Sequence, residues 1–107
     1  MDLQIELKNG VMTAILSGEL DHHTVSRIRD QIDQTAMKVK PRILRLDFSD
    51  VPFMDSSGIG LILGRVRIAA AWGGKIALAG LSPQMKRMAE LSGISALAIF
   101  EKHAKGA

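Results

Sequence analysis

The chain has 107 residues, of which 47 % are hydrophobic and 23 % are charged, and this size and composition predict one globular domain and not a disordered segment. The absence of cysteine excludes a disulfide scaffold, a thiolate metal site and a cysteine nucleophile, and a net charge of +3 without a basic cluster argues against direct nucleic-acid binding. No apolar run reaches about 18 residues and no basic region precedes an apolar block at the N-terminus, so we expect a cytoplasmic domain without membrane insertion.

The spacing of hydrophobic residues changes along the chain between a period of two and a period near 3.6, which is typical of an α/β domain. Asn9-Gly10 is a strong hairpin signal, so the first two strands should be antiparallel. Strands are predicted at 3–7, 11–17, 42–48, 75–79 and 96–100. Helices are predicted over 23–38 with Asp21 or Thr24 as the N-terminal cap, from Ser56-Ser57 to about Ala71, and from Ser82-Pro83 to Gly93.

The resulting order of elements is β-β-α-β-α-β-α-β. Strands that follow helices should be mutually parallel through right-handed crossovers. We therefore predict a single α/β domain with a mixed sheet, helices packed on it and the first hairpin strand at an edge. The whole chain, 1–107, is expected to form this domain, with a core over about 3–100 and a short tail at 101–107.

The segment 53–65 is the most unusual part of the chain, because an acid and two hydroxyls precede three glycines at a strand-to-helix turn. Gly60 and Gly64 lie on one face of the predicted helix, where each glycine costs roughly 1 kcal/mol relative to alanine. Spacing alone favours close packing of this helix as the reason, and a flat surface for another protein's backbone is the alternative. The buried side of the helix is predicted to comprise Ile59, Ile62, Leu63, Val66 and Ala70.

Ser56 and Ser57 stand where the helix should begin, and one of them is expected to be its N-cap. A helix N-terminus has free N–H groups and a positive partial charge, so it also tolerates a phosphate. Either serine is therefore a candidate phosphoacceptor, and spacing does not decide between them.

We find no complete sequence motif for an enzyme active site or for a metal site. The adjacent residues His22 and His23 point to different faces, so a shared metal is not expected. The glycines lack the Gly-Lys-Ser/Thr of a phosphate-binding loop, and Asp55-Ser56-Ser57-Gly58 matches no serine-hydrolase pattern. We predict that the chain is not an enzyme, with a small serine hydrolase based on Ser56 as the enzymatic alternative.

Two segments, 18–24 (GELDHHT) and 53–60 (FMDSSGIG), resemble the STAS domain family, named for sulfate transporters and anti-sigma factor antagonists. Within this family, the histidine pair and the Leu-Gly-Arg at 63–65 make the chain most similar to the anti-sigma factor antagonists that act in sporulation. The resemblance covers roughly residues 3–100. Family members usually continue into a longer C-terminal helix, which is expected to be short or missing here.

The resemblance implies a switch protein without catalysis of its own. Its unphosphorylated form would bind an anti-sigma factor that is also an ATP-dependent serine kinase, and so release the sporulation sigma factor. The kinase would then inactivate the protein by phosphorylating Ser56, and a PP2C-type phosphatase would restore it. ATP and Mg²⁺ belong to the kinase, so no cofactor is expected in this chain.

The residues expected to contact the kinase come from the resemblance and from the surface around Ser56. They are Asp21, Asp55, Ser57, Gly58, Ile59, Gly60, Leu61, Gly64 and Arg65. Two alternatives stay within the same family: an antagonist from another partner-switching pathway, such as general stress, and a STAS domain that binds a lipid or a nucleotide.

Overall fold

The computed structural model describes residues 2–101, in which strands and helices alternate after an initial pair of strands. The elements are β1 (Asp2–Lys8), β2 (Val11–Ser17), α1 (His22–Val39), β3 (Ile43–Asp50), α2 (Ser56–Ala70), β4 (Lys75–Ala79), α3 (Pro83–Leu91), a 3-10 turn (Ile94–Ala96) and β5 (Ile99–Phe100).

The five strands form one sheet in the order β1-β2-β3-β4-β5. β1 and β2 are antiparallel, whereas each later neighbouring pair is parallel. The predicted mixed sheet with β1 at an edge is therefore confirmed. The connecting turn is also confirmed, because Asn9 and Gly10 both have positive φ, 53° and 79°, as a type I′ hairpin requires.

The three parallel crossovers advance in the same direction across the sheet, and the right-handed rule for such crossovers places all three helices on one face. The core lies between this face and the helices, with alternate strand residues pointing into it. The strand residues buried there include Met12, Ala14, Leu16, Leu44, Leu46 and Phe48.

The opposite face carries a polar network around Arg45. Its guanidinium donates to both carboxylate oxygens of Glu101, at 2.7 and 3.1 Å, and to Thr13 Oγ1 at 3.0 Å. The hydrogen bond to Glu101 raises the pKa of Arg45. Because Glu101 follows β5, this pair crosses β4 and ties the last strand to the centre of the sheet.

The C-terminal region differs from the predicted strand at 96–100. Gly93 has a φ of 80° and starts the 3-10 turn, in which Leu97 N–H donates to the Ile94 carbonyl at 2.8 Å. The completely buried Ile94 side chain anchors the turn, so only Ile99 and Phe100 remain for β5. Of the predicted tail, only Glu101 lies within the described residues.

The predicted buried side of α2 is partly wrong. Ile59 and Ile62 are buried as expected, but Leu63 and Val66 are only half-buried and Ala70 is exposed. The residues of α2 that are buried are Gly58, Ile59, Leu61, Ile62, Arg65 and Ala69. Apolar residues occur on several sides of α2, so hydrophobic spacing alone does not identify its buried face.

Candidate functional site

Two strand-to-helix connections lie side by side at the carboxyl ends of β2 and β3. Leu20 N–H donates to the Phe53 carbonyl at 3.0 Å, and Asp55 N–H donates to the Leu20 carbonyl at 3.2 Å. Leu20 thus forms a parallel bridge with Met54, and both side chains are buried. The bridge brings the N-termini of α1 and α2, and with them the two sequence motifs, to the same edge of the sheet.

Asp21 caps α1 through a reciprocal capping box. Its carboxylate accepts from the N–H groups of His23 and Thr24 at 2.9 and 3.1 Å, and its own N–H donates to Thr24 Oγ1 at 3.0 Å. The hydrogen bond from the Thr24 N–H lowers the pKa of Asp21, because it stabilises the carboxylate. The prediction that Asp21 or Thr24 caps this helix is confirmed, since the two act together.

Asp55 caps α2, so the expectation that Ser56 or Ser57 would do so is wrong. Its carboxylate accepts from Ser57 N–H at 2.8 Å, and the helix begins at Ser56. A carboxylate satisfies the free amides as well as a serine hydroxyl does, and the Leu20–Met54 bridge places Asp55 at that point. Ser56 is therefore left exposed at the first helical position, while Ser57 is half-buried.

The three glycines at the start of α2 serve two different purposes. A side chain at Gly58 would overlap Met54, and it would come within 3.3 Å of Leu20, so this glycine lets the helix pack on the two connections. A Cβ at Gly60 or at Gly64 would meet no atom of the described part of the chain within 4 Å. Close packing thus explains Gly58 only, and the interpretation that spacing favoured for Gly60 and Gly64 is wrong.

Four of the predicted partner-binding residues lie in or near the core. Gly58 and Ile59 are buried, Leu61 is 2 % exposed and Arg65 is 4 % exposed. In this conformation the Leu61 and Arg65 side chains offer little area to a docking protein, and contact of these four residues with a partner stays a prediction. Their burial follows from the orientation of α2, which turns these positions toward α1 and the sheet.

The remaining predicted residues share one surface. Ser56 and Gly60 are exposed, and Gly64, Ser57, Asp55 and Asp21 are half-buried. Beside them, the Phe53 side chain is 52 % exposed, and sequence analysis did not include it. Phe53 follows Pro52 in the connection between β3 and α2, and connections lie at the surface, so this position was the signal for an exposed aromatic residue. We call Asp21, Phe53, Asp55, Ser56, Ser57, Gly60 and Gly64 the α1–α2 edge surface.

Arg65 forms a buried ion pair with Asp33 of α1. Arg65 Nε lies 3.0 Å from Asp33 Oδ1, and the exposed fractions of the two side chains are 4 % and 19 %. The two groups are not aligned for a hydrogen bond, and within residues 2–101 Arg65 Nη1 has no hydrogen-bond partner either. Burial raises the pKa of Asp33 and lowers the pKa of Arg65, against their mutual attraction. Sequence analysis missed Asp33, whose only signal was an acid beside the buried stripe of α1.

The two histidines at the start of α1 are exposed, with their ring centroids 5.7 Å apart. Among residues 2–101, no hydrogen bond joins a histidine to Ser56 or Ser57, and no group of three potential metal-ligating side chains comes together. Within the same residues, no helix has both the length and the apolar character needed to cross a membrane.

The sequence matches the model of the STAS domain over residues 2–106. The chain belongs to the STAS domain family. Among its relatives, an anti-sigma F factor antagonist of Paenibacillus polymyxa is 40 % identical over 96 residues, which span 88 % of this chain and 82 % of the relative. An anti-sigma-B factor antagonist of Listeria monocytogenes is 29 % identical over 98 residues, spanning 89 % and 85 %.

Solved structures of the anti-sigma factor antagonist SpoIIAA share this fold. The unphosphorylated form superposes with a TM-score of 0.83 and 31 % identity, over 97 % of this chain and 90 % of that one. The phosphorylated form of the Bacillus protein gives a TM-score of 0.78 and 32 % identity, over 97 % and 93 %. The STAS fold of this chain therefore matches that protein in both of its states.

Proposed function

We propose that this STAS domain is an anti-sigma factor antagonist of the sigma F type, switched off by phosphorylation of Ser56. The observation that carries the proposal is the position of Ser56: it is exposed at the first turn of α2, on the edge where both family motifs meet. The 40 % identity to an anti-sigma F factor antagonist supports the type of pathway.

The α1–α2 edge surface is suited to a protein partner because its centre is flat. Gly60 and Gly64 leave open space above one side of α2, so a partner's backbone can come close to the helix. The exposed Phe53 ring, in the connection that leads into α2, offers apolar area of the kind that dominates binding energy. The partner we propose is an anti-sigma factor that is also a serine kinase.

A phosphate on Ser56 would change this surface locally. It adds a charge of about −1.5 to −2 at neutral pH. The positive partial charge at the N-terminus of α2 favours a phosphate there, so modification need not unfold the helix. The carboxylates of Asp55 and Asp21 lie at the same edge, so the phosphate adds to negative charge that is already there. A partner whose surface complements the unmodified edge would then lose affinity through desolvation and like-charge repulsion.

Phosphopeptide mapping tests the assignment. The protein is incubated with a purified sigma F-type anti-sigma kinase, ATP and Mg²⁺, alongside Ser56→Ala and the matched control Ser57→Ala. We expect label at Ser56 in the wild type and in Ser57→Ala, and none in Ser56→Ala. Label that persists in Ser56→Ala and disappears in Ser57→Ala would show that the acceptor is Ser57.

Complex formation tests the partner separately. Ser56→Ala should bind the kinase in the presence of ADP and resist inactivation by ATP, whereas Ser56→Asp should bind weakly. A PP2C-type phosphatase should restore binding of the phosphorylated wild type. Failure of the unmodified protein to bind would refute the antagonist role, even if Ser56 were labelled.

The second candidate is an antagonist of the general-stress pathway, favoured by the relatives of the anti-sigma-B type. Parallel binding assays with sigma F-type and sigma B-type anti-sigma factors distinguish the two. In either pathway the chain acts as a cytoplasmic binding module, and the chemistry of phosphate transfer belongs to the partner. Ester hydrolysis that disappears in Ser56→Ala would contradict this description.

A further inference from the structure

Arg65 lies at the centre of the buried face of α2. Successive residues of an α-helix are rotated by about 100°, so the nine positions between Ser56 and Arg65 place them about half a turn apart. Ser56 is exposed and Arg65 is buried, as this geometry requires. The direction in which Arg65 points therefore determines whether Ser56 faces outward.

Hydrophobic packing alone allows two orientations of α2: the observed one buries Leu61 on the same side as Arg65, whereas a rotated one would bury Leu63 and Val66 instead. Leu63 and Val66 are only half-buried in the structure, although both are larger and more apolar than the buried residues Gly58 and Ala69. A rotation of α2 by roughly a quarter turn would bury Leu63 and Val66 and would release Arg65 and Leu61 to water. This is the orientation that the hydrophobic spacing predicts and that the structure does not adopt.

Asp33 is the feature that opposes such a rotation. It lies beside the buried residue Ile32 on α1, and its Oδ1 lies 3.0 Å from Arg65 Nε. Among the described residues Arg65 Nη1 has no hydrogen-bond partner, and Asp33 is the ion-pair partner of Arg65, with a smaller electrostatic attraction from Asp30. A buried ion pair of this kind specifies one arrangement of helices among several that burial of apolar area would allow.

We propose that Asp33 is a positioning residue, which sets the rotation of α2 through Arg65 and so keeps Ser56 and Gly60 at the surface. Without the carboxylate, the buried guanidinium loses its ion-pair partner, and the rotated helix with Leu63 and Val66 buried becomes competitive. The proposal concerns the conformation of this chain alone and is tested without any partner, so it stands or falls independently of the antagonist role.

The absence of cysteine makes a direct test available. Gly60→Cys introduces the only thiol, at a site where a Cβ meets nothing within 4 Å. The rate of its reaction with a thiol reagent, divided by the rate in denaturant, reports how exposed this face of α2 is. Ser26→Cys on the exposed side of α1 is the matched control.

The thiol at 60 is compared in three backgrounds: wild type, Asp33→Leu, and Asp33→Leu with Arg65→Met. In Asp33→Leu we expect the rate to fall about twofold or more, as it would if the two rotations became equally populated. The double variant, which has no charge left to release, should react at the wild-type rate. The thiol at 26 should react equally in all three.

Mere destabilisation predicts a different result, because a thiol that is already exposed does not become slower when a protein loosens. A lower melting temperature in Asp33→Leu with an unchanged rate at position 60 would overturn the proposal. So would a slow rate in the double variant. If Asp33→Leu does not fold, Asp33→Asn takes its place, and an unchanged rate in that variant would likewise overturn the proposal.

Discussion

Replacement of Gly60 by alanine should stabilise this domain. Glycine in the interior of a helix costs about 1 kcal/mol relative to alanine, because it leaves the unfolded backbone more freedom. A Cβ at position 60 meets nothing within 4 Å, so no steric cost offsets that gain. For a domain of this size, a gain of about 1 kcal/mol corresponds to a rise in melting temperature of about 4–8 °C.

Thermal unfolding followed by circular dichroism measures this change, and Gly58→Ala is the matched control two residues earlier. A Cβ at Gly58 would overlap Met54, so overpacking of about 1–3 kcal/mol should outweigh the gain in helix propensity. We therefore expect opposite signs for the two variants. A lower melting temperature in Gly60→Ala, or a stabilised Gly58→Ala, would refute the assignment of open space to one glycine and close packing to the other.

Three further outcomes follow from single contacts. Gly80→Ala should be strongly destabilising, by about 1–3 kcal/mol or more in denaturant melts. The φ of Gly80 is 71°, and a Cβ there would lie 2.6 Å from Ser49 N. A variant as stable as the wild type would show that the backbone at this position can shift. Glu101→Gln should lower the free energy of unfolding by up to about 1 kcal/mol, and the difference should shrink in high salt; a loss that salt leaves unchanged would contradict an electrostatic origin. The folded state lowers the pKa of Asp21 below 3.8, so the stability that this carboxylate contributes is present above that pH and is lost as the pH falls. The melting temperature of Asp21→Asn should therefore fall less on acidification than that of the wild type. Parallel curves of melting temperature against pH for the two proteins would argue against the effect.

The order of elements was predictable because each one has a strong local signal. Asn9-Gly10 determines the hairpin turn, and Ser82 with Pro83 marks the start of α3, as the structure confirms. The last strand was predicted too long because the apolar segment after Gly93 suits either a strand or a turn, and burial of Ile94 decides between them. Local signals identify an element best where no alternative conformation buries the same residues.

The two motifs of the candidate site could be identified from the sequence, but their arrangement in space could not. Sequence placed Asp21 and Ser56 on different elements, whereas their common location depends on the backbone bridge between Leu20 and Met54, which has no sequence signature. The orientation of α2 was predicted incorrectly because an arginine in an amphipathic pattern is normally assigned to solvent. Its burial depends on Asp33, 32 positions earlier, and pairings over such distances are invisible to periodicity.

The order of strands in the sheet has a consequence for how the chain folds. Every strand neighbours the strand that precedes it in sequence, so no pairing has to wait for a segment synthesised much later. Each loop to be closed spans only one hairpin or one helix, which keeps the entropy of closure small for a largely parallel sheet. Pairing can therefore extend from β1–β2 toward β5 as the polypeptide leaves the ribosome, and β5, with two paired residues, should be the last strand to gain protection from hydrogen exchange.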